Sequence, residues 1–562
     1  MQQKILKSFL FTGAVAIIAL ASCKKKVDDA YANPNAPIRV PVETILPGLI
    51  GGFTAFNSDA GTNYGVQADD ILLGRYIQYF GSTGNLENYG EMGGTIGSDN
   101  TGGMWGAVYY GHGENLNRVV EWGTEEQKWD YVGAAYAIRA WGWLETANQY
   151  GDAILREAFN TSLIQFHYDS ASMFYDSCRA ICFKALANLS KTDGNVNPAN
   201  FAASDYYFNK GDISKWKKFV YGILARSYID LSSKANFLTK GYADSAIKYA
   251  NLSCSSNNDN ILCTFSGANS SNGFNSYWGP TRSNIGTMRQ GGYIANLMSG
   301  KNTSAFTNVK DPRCWYMLSE SASTLTDSVF KGVTPWLGVT EYLSGSTPTS
   351  GYPRNLWRSG AQNSTVGTDD STRYVYSNRG PWPMMTASEM QLVIAEAAMR
   401  KGDNTTAYAA YQNAISLDFD MLTTTYSFNI PAARIITTAK KTAYMSNTAI
   451  VPATAAELTL THIMLQKYIA LYGWGTHQTW TDMRKYHYNK DFDPATGKSV
   501  YAEFITPPTS PINYLASTNN GKLVYRCRPR FNSEYLYDIP ELTRIGALNS
   551  DYNTNEIWFS LP

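Results

Sequence analysis

Residues 388–419 read SEMQLVIAEAAMRKGDNTTAYAAYQNAISLDF. Within them Ile394, Ala395, Ala398, Gly402, Ala407, Tyr411 and Ala414 carry the spacing of a tetratricopeptide repeat. In such a repeat small residues sit where two antiparallel helices cross closely, and the tyrosine fills the neighbouring groove. A weaker copy lies upstream. Leu224, Ala225 and Tyr228 match its first helix, and Ala243, Ile247 and Ala250 match the second, after a turn about six residues longer. For any single alanine the alternative is plain helix packing, which is also what the repeat needs. The two copies predict a mainly all-α chain built on a tetratricopeptide-like helical scaffold.

Other periodic segments extend that scaffold in both directions. Trp105, Tyr109, His112 and Leu116 share one helical face and read as core. A second helix is expected from about Tyr131 to Tyr150, stopped by Gly151-Asp152. More helices are expected over about 171–190, 215–232 and 242–252, and a long one after Gln466-Lys467-Tyr468-Ile469-Ala470 closes the scaffold. The first of these places Cys178 and Cys182 on an apolar stripe with Ile181, Ala185 and Leu189, as small buried residues. Scaffold therefore covers about 100–253 and 386–488. Between them, over about 254–385, the helical period fails, and Gly, Ser, Asn, Thr and Pro surround scattered aromatics. A loop-rich insertion of this length inside a helical protein usually carries function. The tail over about 489–562 reads as irregular.

The N-terminus reads as a lipoprotein signal. Lys4 and Lys7 precede an apolar run from Phe9 to Ala19, which ends in Leu20-Ala21-Ser22-Cys23. The run is too short to cross a hydrocarbon core about 30 Å thick, so residues 1–22 are expected to be cleaved and Cys23 to be acylated. Residues 23–37 then form a lipidated tether ending in Asn33-Pro34-Asn35-Ala36-Pro37, and 38–562 form a single domain. Two lysines leave with the signal, so 45 basic residues face 46 acidic ones, a net charge of −1. Such a balance argues against nucleic acid as a partner, because phosphate binding needs a basic face.

Order along the chain carries a resemblance. After the lipobox at Cys23 and the Asn33–Pro37 opening comes the Trp105, Tyr109, Asn115-Leu116-Asn117 helix. Next are Asn148-Gln149-Tyr150-Gly151-Asp152, Ala395-Glu396-Ala397 with Lys401-Gly402-Asp403, and Gln466 to Tyr472. Arg528-Pro529-Arg530-Phe531, with Tyr535, Tyr537 and Glu541, completes the series. In this order the chain resembles the SusD/RagB family of nutrient-binding outer-membrane lipoproteins from Bacteroidetes. The resemblance implies about four tetratricopeptide-like helix pairs with a loop-rich ligand face. It further implies a non-catalytic role capping a SusC-like TonB-dependent barrel that imports oligosaccharides or peptides. Family members carry acidic residues directly after the lipidated cysteine. Here Lys24-Lys25-Lys26 come first and Asp28-Asp29 follow, a departure that bears on surface exposure.

Ligand contact is assigned to Tyr277, Trp278, Trp336 and Trp357 of the insertion. An aromatic face stacks on the apolar face of a pyranose, and the same surface can hold a peptide side chain. Gly279-Pro280 and Pro335 would stiffen two of these loops and lower the ordering cost of binding. The alternative for each aromatic is a small core beneath the insertion.

Catalytic and cofactor signatures are missing from the sequence. It has no Gly-x-Ser-x-Gly elbow, and Phe492 stands where a phosphate loop ending in Gly497-Lys498-Ser499 needs its first glycine. Gly111-His112-Gly113 lacks the third glycine of a dinucleotide fingerprint. No Cys/His spacing suits a metal, and no cofactor is expected. Asp311, Glu320, Asp327 and Glu341 are the main acids of the insertion and read mostly as solvated surface charges. Cys254 and Cys263 flank an Asn/Ser-rich loop and are candidates for a bridge in an oxidising compartment.

Overall fold

The computed structural model describes residues 39–54, 65–83, 101–267, 275–321, 330–345, 347–349, 351–358, 372–508 and 517–562. Cys23, the signal and the tether lie outside the described residues. So does Asp327.

Residues 388–419 fold as the repeat spacing predicts, into helices Ala387–Lys401 and Asn404–Thr425. Thr386 caps the first by accepting from the backbone N–H of Glu389, and Asp403 caps the second by accepting from Thr406. Between them Gly402 sits at φ +78, a left-handed conformation that an L side chain adopts only under strain. Ala395, Ala398, Ala407, Tyr411 and Ala414 are all wholly buried at the crossing. The Tyr411 hydroxyl donates to the Ile450 carbonyl at 2.6 Å, so the groove-filling ring is also satisfied.

The other scaffold helices stack in sequence. Gly113–Glu125 packs on Trp129–Tyr150, which packs on Ala171–Asn188 and then on Ile213–Ile229. Tyr242–Leu252 packs on Ile213–Ile229 and, across the whole insertion, on Ala387–Lys401. Leu460–Ala470 continues the stack against Ala387–Lys401. Chain left out between Leu252 and Ala387 is pinched at its base by two antiparallel strands, Ile261–Cys263 and Trp382–Met385. The solenoid therefore runs on past the insertion without a break, as an apolar stripe shared by neighbouring repeats requires.

Four expectations need correction. The helix through Trp105 is not uniform: Gly106–His112 is π-helical, and an α-helix resumes at Gly113. The closing helix ends at Ala470 and a second one starts at Thr476, because Gly473 at φ +88 and Gly475 interrupt it. Helices before residue 100 also belong to the fold: Val42–Ile50 packs on the first scaffold helices, and Val66–Tyr76 on Thr476–Lys485. Finally, Cys254 and Cys263 are free, and the Cys254 thiol donates to the Asp259 carbonyl at 3.1 Å. Cys178 and Cys182 are buried in their helix as expected.

Buried ion pairs lock the scaffold to its surroundings. Glu396 accepts from Lys485 Nζ at 2.7 Å, and from the Ser232 and Tyr486 hydroxyls at 2.8 Å each. Lys467 Nζ lies 2.8 Å from Asp482 and 3.5 Å from Glu396. Burial would raise the Glu396 carboxyl, but Lys485 and Lys467 more than offset it and hold it below its ordinary range. In the insertion, Arg313 reaches Asp311 and the scaffold residue Asp418 at 2.6 Å each, and Gln466 at 2.8 Å. Asp311 is thus a buried anchor for the loop region and not a solvated charge. Glu320 is likewise engaged, 2.8 Å from Arg358, whereas Glu341 is exposed as expected and accepts from the Thr334 amide at 2.9 Å.

Candidate functional site

A cleft of about 460 Å³ opens where the insertion meets the N-terminal and C-terminal segments. The lining residues Gln78 and Gly292 flank a pair of antiparallel strands, Phe80–Ser82 and Met288–Gln290, in the register Phe80↔Gln290. Beyond Gln290 the chain makes a third pairing, as Gly291 bridges in parallel to Val333. Gly292 donates to the Val333 carbonyl at 2.8 Å, and Val333 to that of Gln290 at 2.9 Å. The backbones here are so close that a Cβ on Gly332 would lie 2.0 Å from the Gly291 carbonyl oxygen. Glycine is the residue that allows such an approach. A tight turn from Thr334 to Gly338 follows and carries Trp336 and Leu337 into the cleft wall.

The facing wall comes from the C-terminal tail. Tyr293 donates its hydroxyl to the Ala502 carbonyl at 3.0 Å, and Asn302 donates to the same oxygen at 3.2 Å. Gln78 donates to the Ile505 carbonyl, and the Thr303 amide donates to Glu503 Oε1 at 2.7 Å. Gln78 and Glu503, both lining the cleft, each sit at φ +62. Non-glycine residues in that region store strain, which clusters at binding sites.

Chemically the cleft is an apolar slot with polar edges. Trp336, Leu337, Tyr293 and the 64% exposed Ile505 supply the slot, while Asn296 and Glu503 stand exposed at its edge. Burial works against ionisation of Glu503, but hydrogen bonds from Thr303 and Ser304 outweigh it and lower its pKa. At neutral pH this edge therefore presents a carboxylate acceptor beside an amide. The combination suits a sugar ring, whose apolar face stacks while its hydroxyls donate outward.

Of the four aromatics singled out in the sequence, only Trp336 lines this cleft. Tyr277, Trp278 and Trp357 gather instead in a buried cluster. Trp278 and Trp357 have no exposed surface, and Tyr277 is 3% exposed. The Trp357 indole N–H donates to the Trp278 carbonyl at 2.8 Å, and that of Trp278 donates to the Gln67 carbonyl at 3.0 Å. Trp278 stacks on Tyr376 with ring planes 4° apart and meets Trp382 edge-on. Burial pushes the Tyr277 phenol up to about 12. These three rings are part of the main hydrophobic core, which continues from the scaffold beneath the insertion. Trp336, itself only 6% exposed, joins the same core and differs in lining the cleft. Gln78, Tyr293, Asn296, Glu503 and Ile505 were not singled out in the sequence, and no local motif marks them. Glu503 meets Thr303 across 200 residues of chain, a pairing that only the tail's path creates.

Among the described residues no group of three or more His, Cys, Asp or Glu side chains is placed to hold a metal ion. None of the described helices is long and apolar enough to cross a membrane.

Comparisons with known proteins agree on one family. The profile SusD-like_2, "Starch-binding associating with outer membrane", matches residues 56–502. A SusD/RagB family protein from Bacteroides thetaiotaomicron has a similar structure, with a TM-score of 0.64 at 19% identity over 93% of this chain and 99% of that one. A SusD homologue from Bacteroides uniformis gives 0.64 at 15% identity, covering 93% and 99%. A chitin-binding SusD homologue from Flavobacterium johnsoniae gives 0.63 at 16%, covering 92% and 98%. No curated protein matches the sequence.

Proposed function

The chain belongs to the SusD-like family of starch-binding proteins that associate with the outer membrane, and we propose from that premise how this member works. It is a non-catalytic surface lipoprotein held through Cys23, which binds an oligosaccharide and caps a SusC-like TonB-dependent barrel for import. The Trp336 cleft is the ligand site. What supports this is the cleft itself: one aromatic wall, an amide and an ionised carboxylate converge on a volume of about 460 Å³. That volume falls within the roughly 300–1,000 Å³ of small-molecule sites. Tyr277, Trp278 and Trp357 support it from below by fixing the insertion's shape.

Affinity electrophoresis through gels containing starch or chitin oligomers tests the reading. Wild-type protein should be retarded in at least one gel. Trp336→Ala and Glu503→Ala should run freely, with unchanged circular dichroism. Retardation that survives both substitutions would place the glycan elsewhere. Absence of retardation, with capture of a protein alone, would favour a tetratricopeptide scaffold that only docks a partner.

A further inference from the structure

A second cleft, of about 430 Å³, lies on the helical scaffold between helices Gly113–Glu125, Trp129–Tyr150 and Ala171–Asn188. It shares no lining residue with the Trp336 cleft. Arg139 stands in its wall, 9% exposed. Its Nη2 donates to the Gly113 carbonyl at 2.9 Å and to Asn117 Oδ1 at 2.8 Å. Both acceptors are neutral. The nearest carboxylate help is indirect, since Asn117 in turn donates to Glu114 at 2.9 Å. Among the described residues Arg139 forms no ion pair, unlike the more deeply buried Arg226 and Arg313, which each face carboxylates. A buried cation without a direct counter-ion is disfavoured, and the Arg139 guanidinium shows it: burial lowers its pKa to about 10, against partial support from Glu114 and Tyr109.

Two further features converge on the same place. The Gly113 carbonyl that receives Arg139 follows directly on the π-helical segment Gly106–His112, and such segments occur frequently at functional sites. Phe159, whose ring lies 4.4 Å from the guanidinium, is held at φ +66, an outlier for a bulky residue. Trp143 lies 5.3 Å from the same guanidinium. Tyr136 closes another side under Lys184, whose ammonium is 6.0 Å from its ring. Glu121 is the one acid lining the cleft, so Arg139 and Lys184 leave the lining at net +1.

We propose that this cleft is a second ligand site, specific for a sugar ring that carries a carboxylate. The carboxylate pairs with Nε and Nη1 of Arg139, supplying the missing counter-ion, and Lys184 adds a second positive charge at the mouth. The ring lies against Trp143, Phe159 and Tyr136. Glu121 excludes a second carboxylate on the same ring. The first cleft, whose one charged lining residue is Glu503, prefers neutral sugars, so the two sites divide ligands by charge.

Calorimetry on the full chain tests this with trigalacturonate, a glucuronate-containing disaccharide and the fully methyl-esterified form of each. At least one uronate should bind ten-fold or more tightly than its ester and weaken as salt rises. Arg139→Gln should abolish that binding. Ala158→Trp, which fills the cleft and leaves Arg139 in place, should abolish it too and decides the matter if Arg139→Gln does not fold. Trp336→Ala should leave it unchanged. Equal binding of ester and acid, binding of neither uronate, or full affinity in a folded Ala158→Trp variant would overturn the proposal. Loss of uronate binding in Trp336→Ala would also do so, by assigning the acid to the first cleft.

Discussion

Trp336 and Trp357 belong to one insertion, yet their indoles meet different surroundings. Trp357 is fully enclosed and donates to the Trp278 carbonyl across 79 residues, whereas Trp336, although only 6% exposed, lines the cleft. Trp357→Ala should therefore destabilise the fold by about 3–5 kcal/mol, the usual cost of emptying a large aromatic site. Trp336→Ala should cost less stability and show its effect in glycan affinity. Chemical denaturation of both variants, beside the gel assay, checks the contrast; equal destabilisation would refute it. The insertion's composition marked aromatics of both kinds, and proline or glycine neighbours did not separate them. What separates them is which carbonyl stands opposite, and that is set by chain segments far away in sequence. At Glu396 the prediction is sharper. Glu396→Gln leaves Lys467 and Lys485 with Asp482 as their remaining buried carboxylate partner and should cost about 3–5 kcal/mol. The same carboxyl, held low by its lysines, adds stability above its ordinary range that is lost as pH falls through its depressed value. A melting temperature unchanged by the substitution would show the network to be dispensable.

Helical hairpins are the elements that sequence made most legible, because small residues three and four apart report a close crossing directly. Ala414 is wholly buried and its carbonyl accepts from Ser388 of the partner helix at 2.9 Å. Ala414→Leu should overpack that crossing and cost about 1–3 kcal/mol. Unchanged thermal unfolding would refute the assigned contact. The π-helical segment at Gly106–His112 was less legible, since one extra residue per turn shifts a stripe by too little to notice over so short a run. The C-terminal tail was illegible for another reason: it has no period of its own and is shaped by what it covers. Its Glu534 shows this. Tyr168 donates to Glu534 Oε2 at 2.6 Å, and burial, with a smaller push from Asp538, raises the carboxyl to about 7. A raised acid means the folded state holds the proton that the unfolded chain releases near 4.5. Stability from this site is therefore complete below the unfolded value and falls as pH rises towards 7, by on the order of 3 kcal/mol at about 1.4 per unit. Glu534→Gln, neutral throughout, should remove that slope. Melting temperatures from pH 4.5 to 8 for both proteins check it, and parallel curves would contradict the assignment.

Over the whole molecule, motif order was legible because the family's signature points are spread along nearly the whole chain, from Cys23 to Glu541. In the proposed role, residues 23–37 are the tether that links this fold to the membrane. Cys23→Ala should free the protein from membranes, since the acyl chains on that cysteine are its proposed anchor; full sedimentation of the variant with membranes would reveal another. The described chain starts where the tether ends, at Arg39, which reaches Glu125 at 2.6 Å and Glu126 at 2.7 Å at the end of the first scaffold helix. These pairs are exposed, so they mark a direction more than they add stability. From Cys23 to Pro37 the tether spans 15 residues, at most roughly 50 Å at about 3.3–3.6 Å per residue. Under the proposed lid role, that length would let the domain swing from a barrel while its lipid stays in the leaflet. Import then needs an open state that captures glycan and a closed state that buries it, with ligand contacts in the closed state shifting the balance. Docking over a barrel mouth should bury well beyond the roughly 1,600 Å² of a standard interface, enough to survive detergent. Affinity purification from cells that also express a SusC-like barrel, at mild salt, should recover the two chains together, and added glycan should raise the yield. Recovery of this protein alone would leave the cleft as the site of a free-standing surface binder and would remove the lid.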